Sequence, residues 1–141
     1  MILTDREIRN SIASGLIDVN PRPTPDAYAS TTLDLKLGSS LRAFKEIPTG
    51  TDMIIDPRKP GYNVIKLIKQ ITDAETIDPD PKKGYILEPN KLSLGWTQET
   101  IHLKEHGRVA TWVEGKSSLS RIGLSIHVNA PTIHAGFRGP I

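Results

Sequence analysis

The chain has 141 residues, of which 24% are charged, and its formal net charge is +2. This length suits one domain with a buried core, and the balanced charge argues against a dedicated nucleic-acid-binding protein. There is no cysteine, which excludes disulfides and thiolate metal sites. No apolar run is long enough to cross a membrane, and residue 1 leads into a capped helix rather than a signal peptide. A cytoplasmic protein that binds neither nucleic acid nor membrane is expected.

The first predicted element is a helix that begins after Thr4. Thr4 and Glu7 have the spacing of a capping box, in which each residue's side chain bonds the other's main-chain N–H. Leu3 and Ile8 lie where a hydrophobic staple would place them. Gly15 is a suitable residue to end this helix.

Most of the remaining elements are predicted to be strands. Eleven proline and eleven glycine residues, spread along the chain, favour short strands over a helical bundle. Leu33, Leu35 and Leu37 alternate with Asp34 and Lys36, which is typical of a strand. Further strands are expected around 85–88, 92–103, 108–113, 124–128 and 132–135.

Residues 45–82, rich in Pro, Asp and Lys, are predicted to be an excursion with one strand-like or helical run at Val64–Ile71. Neither an internal repeat nor a linker long enough to divide the chain is present. The pattern predicts a single domain over 1–141, a mostly-β distorted barrel with an N-terminal helix.

The segment 114–124, EGKSSLSRIGL, is the most informative for chemistry. Its cations, hydroxyls and glycines are Lys116, Arg121, Ser117, Ser118, Ser120, Gly115 and Gly123. Polyphosphate needs such cations and hydroxyls, and glycine lets the backbone approach it closely. A P-loop is rejected, because the motif requires glycine where Ala110 stands, and a long helix should follow.

This loop, the predicted strand at 124–128 and the turn-rich segment 132–139 resemble the core of the dCTP deaminase/dUTPase superfamily. In that superfamily, a loop G-[RK]-S-S-x-x-R-x-G holds the triphosphate, and a hairpin ending in G-[FWY]-x-G holds the base and sugar. The blocks at 1–8, 19–23 and 32–38 are similar, in order, to the opening of dCTP deaminases rather than of dUTPases. The resemblance spans most of the chain and implies the dUTPase-like β-clip barrel.

The resemblance implies zinc-independent hydrolytic deamination of dCTP to dUTP and ammonia, in pyrimidine deoxynucleotide biosynthesis. Ser117 would help to hold the attacking water, and Arg121 would offset developing charge. The main chain around 129–130 would read the pyrimidine edge. The implied substrate-binding residues are Lys116, Ser117, Ser118, Leu119, Ser120, Arg121, Asn129, Ala130 and His134. Zinc chemistry of the H-x-E and P-C-x-x-C type is independently excluded by the lack of cysteine.

The resemblance also implies Mg²⁺ bound through the triphosphate, a ligand that is dCTP, dUTP or dTTP, and a homotrimer with sites between subunits. No metal site of the protein's own is expected. His102 and His106 are four residues apart but fall in a strand-to-turn region, so we interpret them as surface histidines. His127 is expected to be half-buried on the polar face of a strand.

Two departures from the family pattern leave alternatives open. The family's catalytic glutamate lies in a segment [IV]-x-L-E beyond Ile141, so we expect a chain truncated before it and before the tail that covers the phosphates, and inactive in this form. His134 stands where the family carries the aspartate that meets the sugar 3′-hydroxyl. Arg138 is commoner in the dUTPase branch, or else forms a rim salt bridge. The alternatives are a dUTP diphosphatase or bifunctional enzyme, and a non-catalytic nucleotide-binding protein.

Overall fold

The computed structural model describes residues 1–48, 50, 52–73 and 84–141. Its helices are α1 (Asp5–Ala13), α2 (Val64–Ile71) and α3 (Ser117–Ser120). Its strands are β1 (Ile17–Asn20), β2 (Leu37–Ala43), β3 (Ser93–Thr97), β4 (Thr100–Leu103), β5 (Thr111–Trp112), β6 (Thr132–Ile133) and β7 (Arg138–Pro140). The predicted class, mostly β with an N-terminal helix, is confirmed.

The described residues form two compact units, one of Met1–Lys36 with Thr97–Ile141 and one of Leu37–Trp96. The predicted excursion at 45–82 falls in the second unit, although residues 74–83 lie outside the described ones.

Helix α1 forms as its end signals predict. The Thr4 N–H donates to Glu7 Oε2 at 2.7 Å, and the reciprocal bond completes the capping box. Gly15 has φ +75°, a left-handed conformation that glycine adopts without strain, directly after the C-cap residue Ser14. The predicted start and end of the helix are therefore confirmed.

Strand β4 is the centre of an antiparallel sheet ordered β1–β4–β7. Ile17 pairs with Leu103, and Val19 pairs with Ile101. These four side chains are the buried core cluster of the first unit, and Leu103 is only 1% exposed. Because side chains alternate across a strand, Asp18 and its cross-strand partner His102 lie on the opposite face of the sheet.

The alternation at Leu33–Leu37 predicts burial correctly at Leu33 and Leu35 but not at Leu37, which is 66% exposed, and it does not predict the backbone structure. Leu33 and Leu35 pack against the core cluster, yet the regular strand begins only at Leu37. Within the described residues, the backbone of residues 33–36 does not pair with a neighbouring strand. The Asp34 N–H donates to a loop carbonyl, and the Lys36 N–H donates to the Glu99 side chain. The prediction of a strand at 33–37 is therefore wrong.

Other predicted strands are shorter, divided or absent. The run at 92–103 is two strands, since Thr97 Oγ1 donates to the Glu99 carbonyl at 2.7 Å and closes a turn between them. The strands predicted at 108–113 and 132–135 shrink to β5 and β6. Those predicted at 85–88 and 124–128 are irregular, with Ile86 and Val128 each 83% exposed, so an apolar-polar alternation there does not mark a buried face.

The predicted hairpin at 132–139 is a turn between two strands that pair elsewhere. Strand β6 pairs with β5, whereas β7 pairs with β4. The turn itself is fixed to β4, because the Gly136 N–H donates to the Leu103 carbonyl at 2.8 Å and the Leu103 N–H donates to Phe137 at 2.9 Å. The segment therefore links two sheets instead of forming its own.

In the second unit, β2 lies beside β3, and Gly95 allows this close approach. A Cβ atom at Gly95 would lie 2.8 Å from a Leu41 methyl group. The run Val64–Ile71 is helical, one of the two structures predicted for it, and the Asn63 side chain caps it by accepting from the Lys66 N–H at 2.9 Å.

Truncation of the core should show where the stability of the first unit resides. Leu103→Ala should lower the free energy of unfolding by about 2–5 kcal/mol, because it removes buried methyl groups and leaves a cavity. Leu92→Ala, at a position 59% exposed, is the matched control and should change it by less than about 0.5 kcal/mol. Urea unfolding of both variants measures the difference, and equal losses would contradict the assigned core.

The outer face of the sheet carries an ionic cluster that should make stability depend on pH. Lys104 Nζ lies 2.7 Å from Asp18 Oδ2, and this bond, with the charges of His102 and Arg138, lowers the pKa of Asp18. A lowered carboxyl pKa stabilises the fold above the unfolded value near 3.8 and loses that effect as pH falls through the folded value.

Asp18→Asn should therefore lower the melting temperature at pH 6, and the difference from the wild type should shrink below about pH 3.8. Asp5→Asn is a control on α1, away from the Lys104 contact. A constant difference between the Asp18 variant and the wild type from pH 7 to pH 2.5 would contradict the assignment.

Candidate functional site

The predicted site residues lie mostly on one excursion of the chain, residues 114–131. Strands β5 and β6 close its base, with Trp112 paired to Thr132. One further bond, from the Val113 N–H to the Pro131 carbonyl at 2.9 Å, ties the two ends together. The stem thus brings the start of the loop at 114 next to its end at 131, and His134 follows β6.

The loop residues form one tight turn of helix, α3. The Lys116 carbonyl accepts from the N–H groups of Leu119 and Ser120, both at 3.0 Å. The chain then closes with the Leu124 N–H donating to the Leu119 carbonyl at 3.1 Å, and Gly123 at φ +90° allows the reversal. The long helix that a P-loop requires is thus replaced by four residues and a turn.

Gly115 is needed because the chain folds back over it. A Cβ atom there would lie 3.0 Å from Ile126 Cγ1 and 3.5 Å from Ser120 Oγ. The first contact is tighter than ordinary packing allows, so a larger residue would push the segment at 126 away. Steric crowding therefore favours glycine at position 115, in addition to the requirement of the motif.

The hydroxyl groups of the loop differ in their bonding. Ser120 Oγ donates back to the Lys116 carbonyl at 3.3 Å. Ser117 and Ser118 are exposed, and neither hydroxyl bonds to another group in the part of the chain that the structure describes. Arg121 is also exposed and makes no ion pair within the described residues. The donors suited to an anion are therefore available at the surface of the loop.

Lys116 has a partner that the sequence did not reveal. Its ammonium group lies 2.5 Å from Asp34 Oδ2, although 82 residues separate the two positions. The pair is partly exposed, with 61% of the lysine side chain and 41% of the aspartate side chain accessible. Asp34 belongs to the block 32–38 that resembles the family, but its alternation with leucine indicated only the polar face of a strand. A long-range ion pair leaves no local pattern.

At the end of residues 114–131, one main-chain donor is already bonded within the chain. Ala130 has φ +64°, a left-handed conformation that is uncommon for a residue with a side chain. Its N–H donates to the Asn129 side-chain oxygen at 2.9 Å, which supports this conformation. A ligand that bonded the Ala130 N–H would therefore have to displace Asn129 Oδ1.

His134 is the exposed first residue of the turn between β6 and β7. Its carbonyl accepts from the Phe137 N–H at 3.2 Å, and Gly136, at the third position of this turn, has φ +88°. The imidazole is thus presented on a firmly fixed backbone. His127, expected to be half-buried, is instead exposed, because the segment around it is not a strand.

The remaining histidines, His102 and His106, and Arg138 lie outside residues 114–131. His102 lies in β4, and its Nδ1 accepts from Lys104 Nζ at 3.1 Å, while His106 lies in a short 3₁₀ turn. Arg138 pairs in register with His102 and forms no salt bridge within the described residues. No group of three His, Cys, Asp or Glu side chains suited to a metal is found in the described part of the chain. Nor does any helix there have the length and apolar character needed to span a bilayer.

Comparison with known proteins gives consistent matches. A family model described as dCTP deaminase-like matches residues 2–141. A dCTP deaminase of Haemophilus ducreyi is 35% identical over 141 residues, which are 100% of this chain and 70% of the relative. A dCTP deaminase of Shewanella oneidensis is 34% identical over 141 residues with the same coverage.

The structural comparison extends the match to the fold. The crystal structure of 2′-deoxycytidine 5′-triphosphate deaminase from Agrobacterium tumefaciens has a TM-score of 0.63 and 23% sequence identity. The match includes 99% of this chain and 39% of that chain, so this chain spans about two fifths of the solved one.

The chain belongs to the dCTP deaminase-like family, since its family model and its curated relatives match along the full sequence. The structural match confirms the predicted fold class.

Proposed function

We propose that the chain acts as a dCTP deaminase that converts dCTP and water to dUTP and ammonia. The observation that carries this proposal is the loop Gly115–Gly123, whose exposed hydroxyl and cationic side chains lie between the paired strands β5 and β6. The dCTP deaminases that match the whole chain support the same activity. A nucleoside triphosphate as substrate favours a cytoplasmic location.

The phosphate half of the site rests on charge and on free donors. Arg121 and Lys116 supply charge, and Ser117 and Ser118 supply hydroxyl donors to phosphate oxygens. Leu119 and Ser120 complete the turn and present these groups. Mg²⁺ would arrive with the triphosphate and take its ligands from phosphate oxygens and water, where it neutralises charge.

The chemical step requires an oxygen to replace an amine at C4 of the cytosine ring. The water oxygen bonds to C4 and gives up both of its protons, one to N3 of the ring and one to the amine nitrogen. The bond from C4 to that nitrogen then breaks, and the nitrogen leaves as ammonia. Ser117 would accept or donate a bond to the water, and Arg121 would offset negative charge as it develops. The proton transfers require a group that can accept and release a proton, and by resemblance a glutamate has this role in the family.

The base and sugar would lie against the end of the excursion. The main chain at 129–130 would bond the pyrimidine edge, chiefly through its carbonyl oxygens, since Asn129 Oδ1 already takes the Ala130 N–H. His134 would bond the 3′-hydroxyl, because imidazole both donates and accepts in its neutral form. An imidazole cannot replace the fixed anion that orients water in dUTPases, so diphosphatase chemistry is the weaker alternative.

The apolar surface around the loop supports a homotrimer. Four large apolar side chains of this region are strongly exposed, namely Trp112 63%, Ile122 80%, Ile126 51% and Val128 83%. Contiguous exposed apolar side chains usually mark an interaction surface. Burial of this surface against another copy would enclose a loop that is open in the single chain.

A second reading is a nucleotide-binding protein without catalysis. It is favoured by His134, an imidazole at the position where, by resemblance, the family carries an aspartate. Its ligand would be dCTP, dUTP or dTTP.

One assay on the full-length protein separates these functions. With dCTP as substrate, a deaminase releases ammonia and forms dUTP, whereas a bifunctional enzyme also releases pyrophosphate. Pyrophosphate from dUTP without ammonia from dCTP would identify a diphosphatase. Tight binding of dCTP without either product would identify a binding protein.

Removal of the exposed Arg121 charge should weaken nucleotide binding. Arg121→Ala should lower dCTP affinity at least tenfold, or by about 1.4 kcal/mol, because a charged donor to phosphate is lost. Arg6→Ala, on the exposed face of α1, is the matched control and should leave the affinity unchanged. Calorimetric titration with dCTP measures both, and equal affinities for the two variants would remove Arg121 from the site.

A sugar contact by His134 should make dCTP affinity depend on this side chain. His134→Ala should weaken dCTP binding about threefold to tenfold, because a bond to the 3′-hydroxyl is lost, and should leave the affinity for tripolyphosphate, which has no sugar, unchanged. His134→Asp should recover the lost affinity, since a carboxylate also accepts from a hydroxyl, and should preserve the fold because the turn is held by main-chain bonds. Calorimetric titration with both probes measures these affinities, and equal dCTP affinity in His134→Ala and the wild type would exclude the contact.

A further inference from the structure

Residues 33–36 form a rigid support next to the loop. Leu33 makes an isolated antiparallel bridge with Tyr28. The Asp34 N–H donates to the Ala27 carbonyl at 2.8 Å. Two successive residues are thus fixed by the backbone of the preceding loop, and neither of these bonds uses the Asp34 side chain.

The other end of this support is held by the turn between β3 and β4. The Lys36 N–H donates to Glu99 Oε2 at 2.9 Å, and the Lys36 carbonyl accepts from the Gln98 N–H at 2.8 Å. Glu99 is only 8% exposed, so its bond lies in a region with little competing water. Asp34 therefore stands between two fixed points, and its position depends little on the loop that it contacts.

The partner of Asp34 is more mobile by its nature. Lys116 carries its charge on four flexible methylene groups, and its ammonium group has three N–H donors. Asp34 Oδ2 takes one of these donors, and no second partner of the ammonium lies within the described residues. Two donors therefore stay open for phosphate oxygens while the nitrogen is held in place.

Two effects of Asp34 on an incoming phosphate oppose each other. Its negative charge repels the phosphate, whereas its hold on Lys116 removes the need to order a flexible side chain on binding. Both partners are partly exposed, and charges in water are strongly screened. The bond of Asp34 to Lys116 is a direct contact at 2.5 Å, whereas a phosphate bound by Lys116 would lie farther from Asp34, so the ordering effect should dominate.

We propose that Asp34 is a positioning residue that fixes the Lys116 ammonium for phosphate binding and that the buried Glu99 carboxylate sets the support on which Asp34 stands. This inference rests on the proposed nucleotide function but adds a residue pair that the loop motif does not contain. Neither residue contacts the substrate itself, and their effect passes through Lys116.

A double-mutant cycle tests the proposal, with tripolyphosphate and dCTP as separate probes in calorimetry on the full chain. Asp34→Ala should weaken binding of both probes about threefold to tenfold, the range expected for coupled neighbours. In a Lys116→Met background, the same substitution should change affinity less than about 1.5-fold. A general structural role for Asp34 would instead weaken binding equally in both backgrounds and would overturn the proposal.

Asp34→Asn provides the conservative variant, because its amide oxygen still accepts a bond from Lys116. It should recover part of the affinity that Asp34→Ala loses. If repulsion dominated, both variants would bind more tightly than the wild type, which would also overturn the proposal. Unchanged thermal melting of Asp34→Ala is expected, since the main-chain bonds at 34 remain.

The two probes separate this inference from the proposed function. Coupling between Asp34 and Lys116 with tripolyphosphate, without binding of dCTP, would reject the deaminase function and retain the positioning role. Binding of dCTP without coupling would retain the function and reject the positioning role. Failure to bind either probe would reject both.

Discussion

The packing of β4 against its two neighbours is the constraint on which the first unit depends. Its side chains Ile101 and Leu103 fill the core, and its backbone is paired on both edges. The same strand orients features that are not part of the core. The turn before it carries Glu99, which holds residues 33–36, and Leu103 holds the turn that presents His134. Disruption of β4 would therefore release both residues 33–36, which carry the partner of Lys116, and the turn that carries His134.

The sequence predicts well those features whose cause is local. The capping box of α1 acts over three residues, and Gly123 acts within its own turn, so sequence spacing alone is informative for both. The hydroxyl-rich loop was identified for the same reason. Burial was also predicted at Leu33 and Leu35, because the hydrophobic effect depends on which side chains are apolar and not on what the backbone bonds.

The sequence does not predict features that depend on contacts between residues far apart along the chain. Whether an extended segment becomes a strand depends on a partner elsewhere in the chain, and at Lys36 that partner is the Glu99 side chain rather than a backbone ladder. The alternation at 124–128 misled for another reason: two of its three apolar side chains, Ile126 and Val128, are exposed and do not form a buried face. The pair of Asp34 and Lys116 spans 82 positions, and no spacing rule reaches that far.

The two halves of the proposed site differ in how ready they are for a ligand. On the phosphate side, the hydroxyls of Ser117 and Ser118 are free within the described residues, and Lys116 is already held in place. On the base side, the Ala130 N–H is bonded within the chain, and His134 stands where the family has a carboxylate. Preorganised donors lower the cost of binding, whereas occupied ones raise it. Phosphate contacts should therefore dominate the affinity of this chain for a nucleotide, and contacts to the base should contribute less.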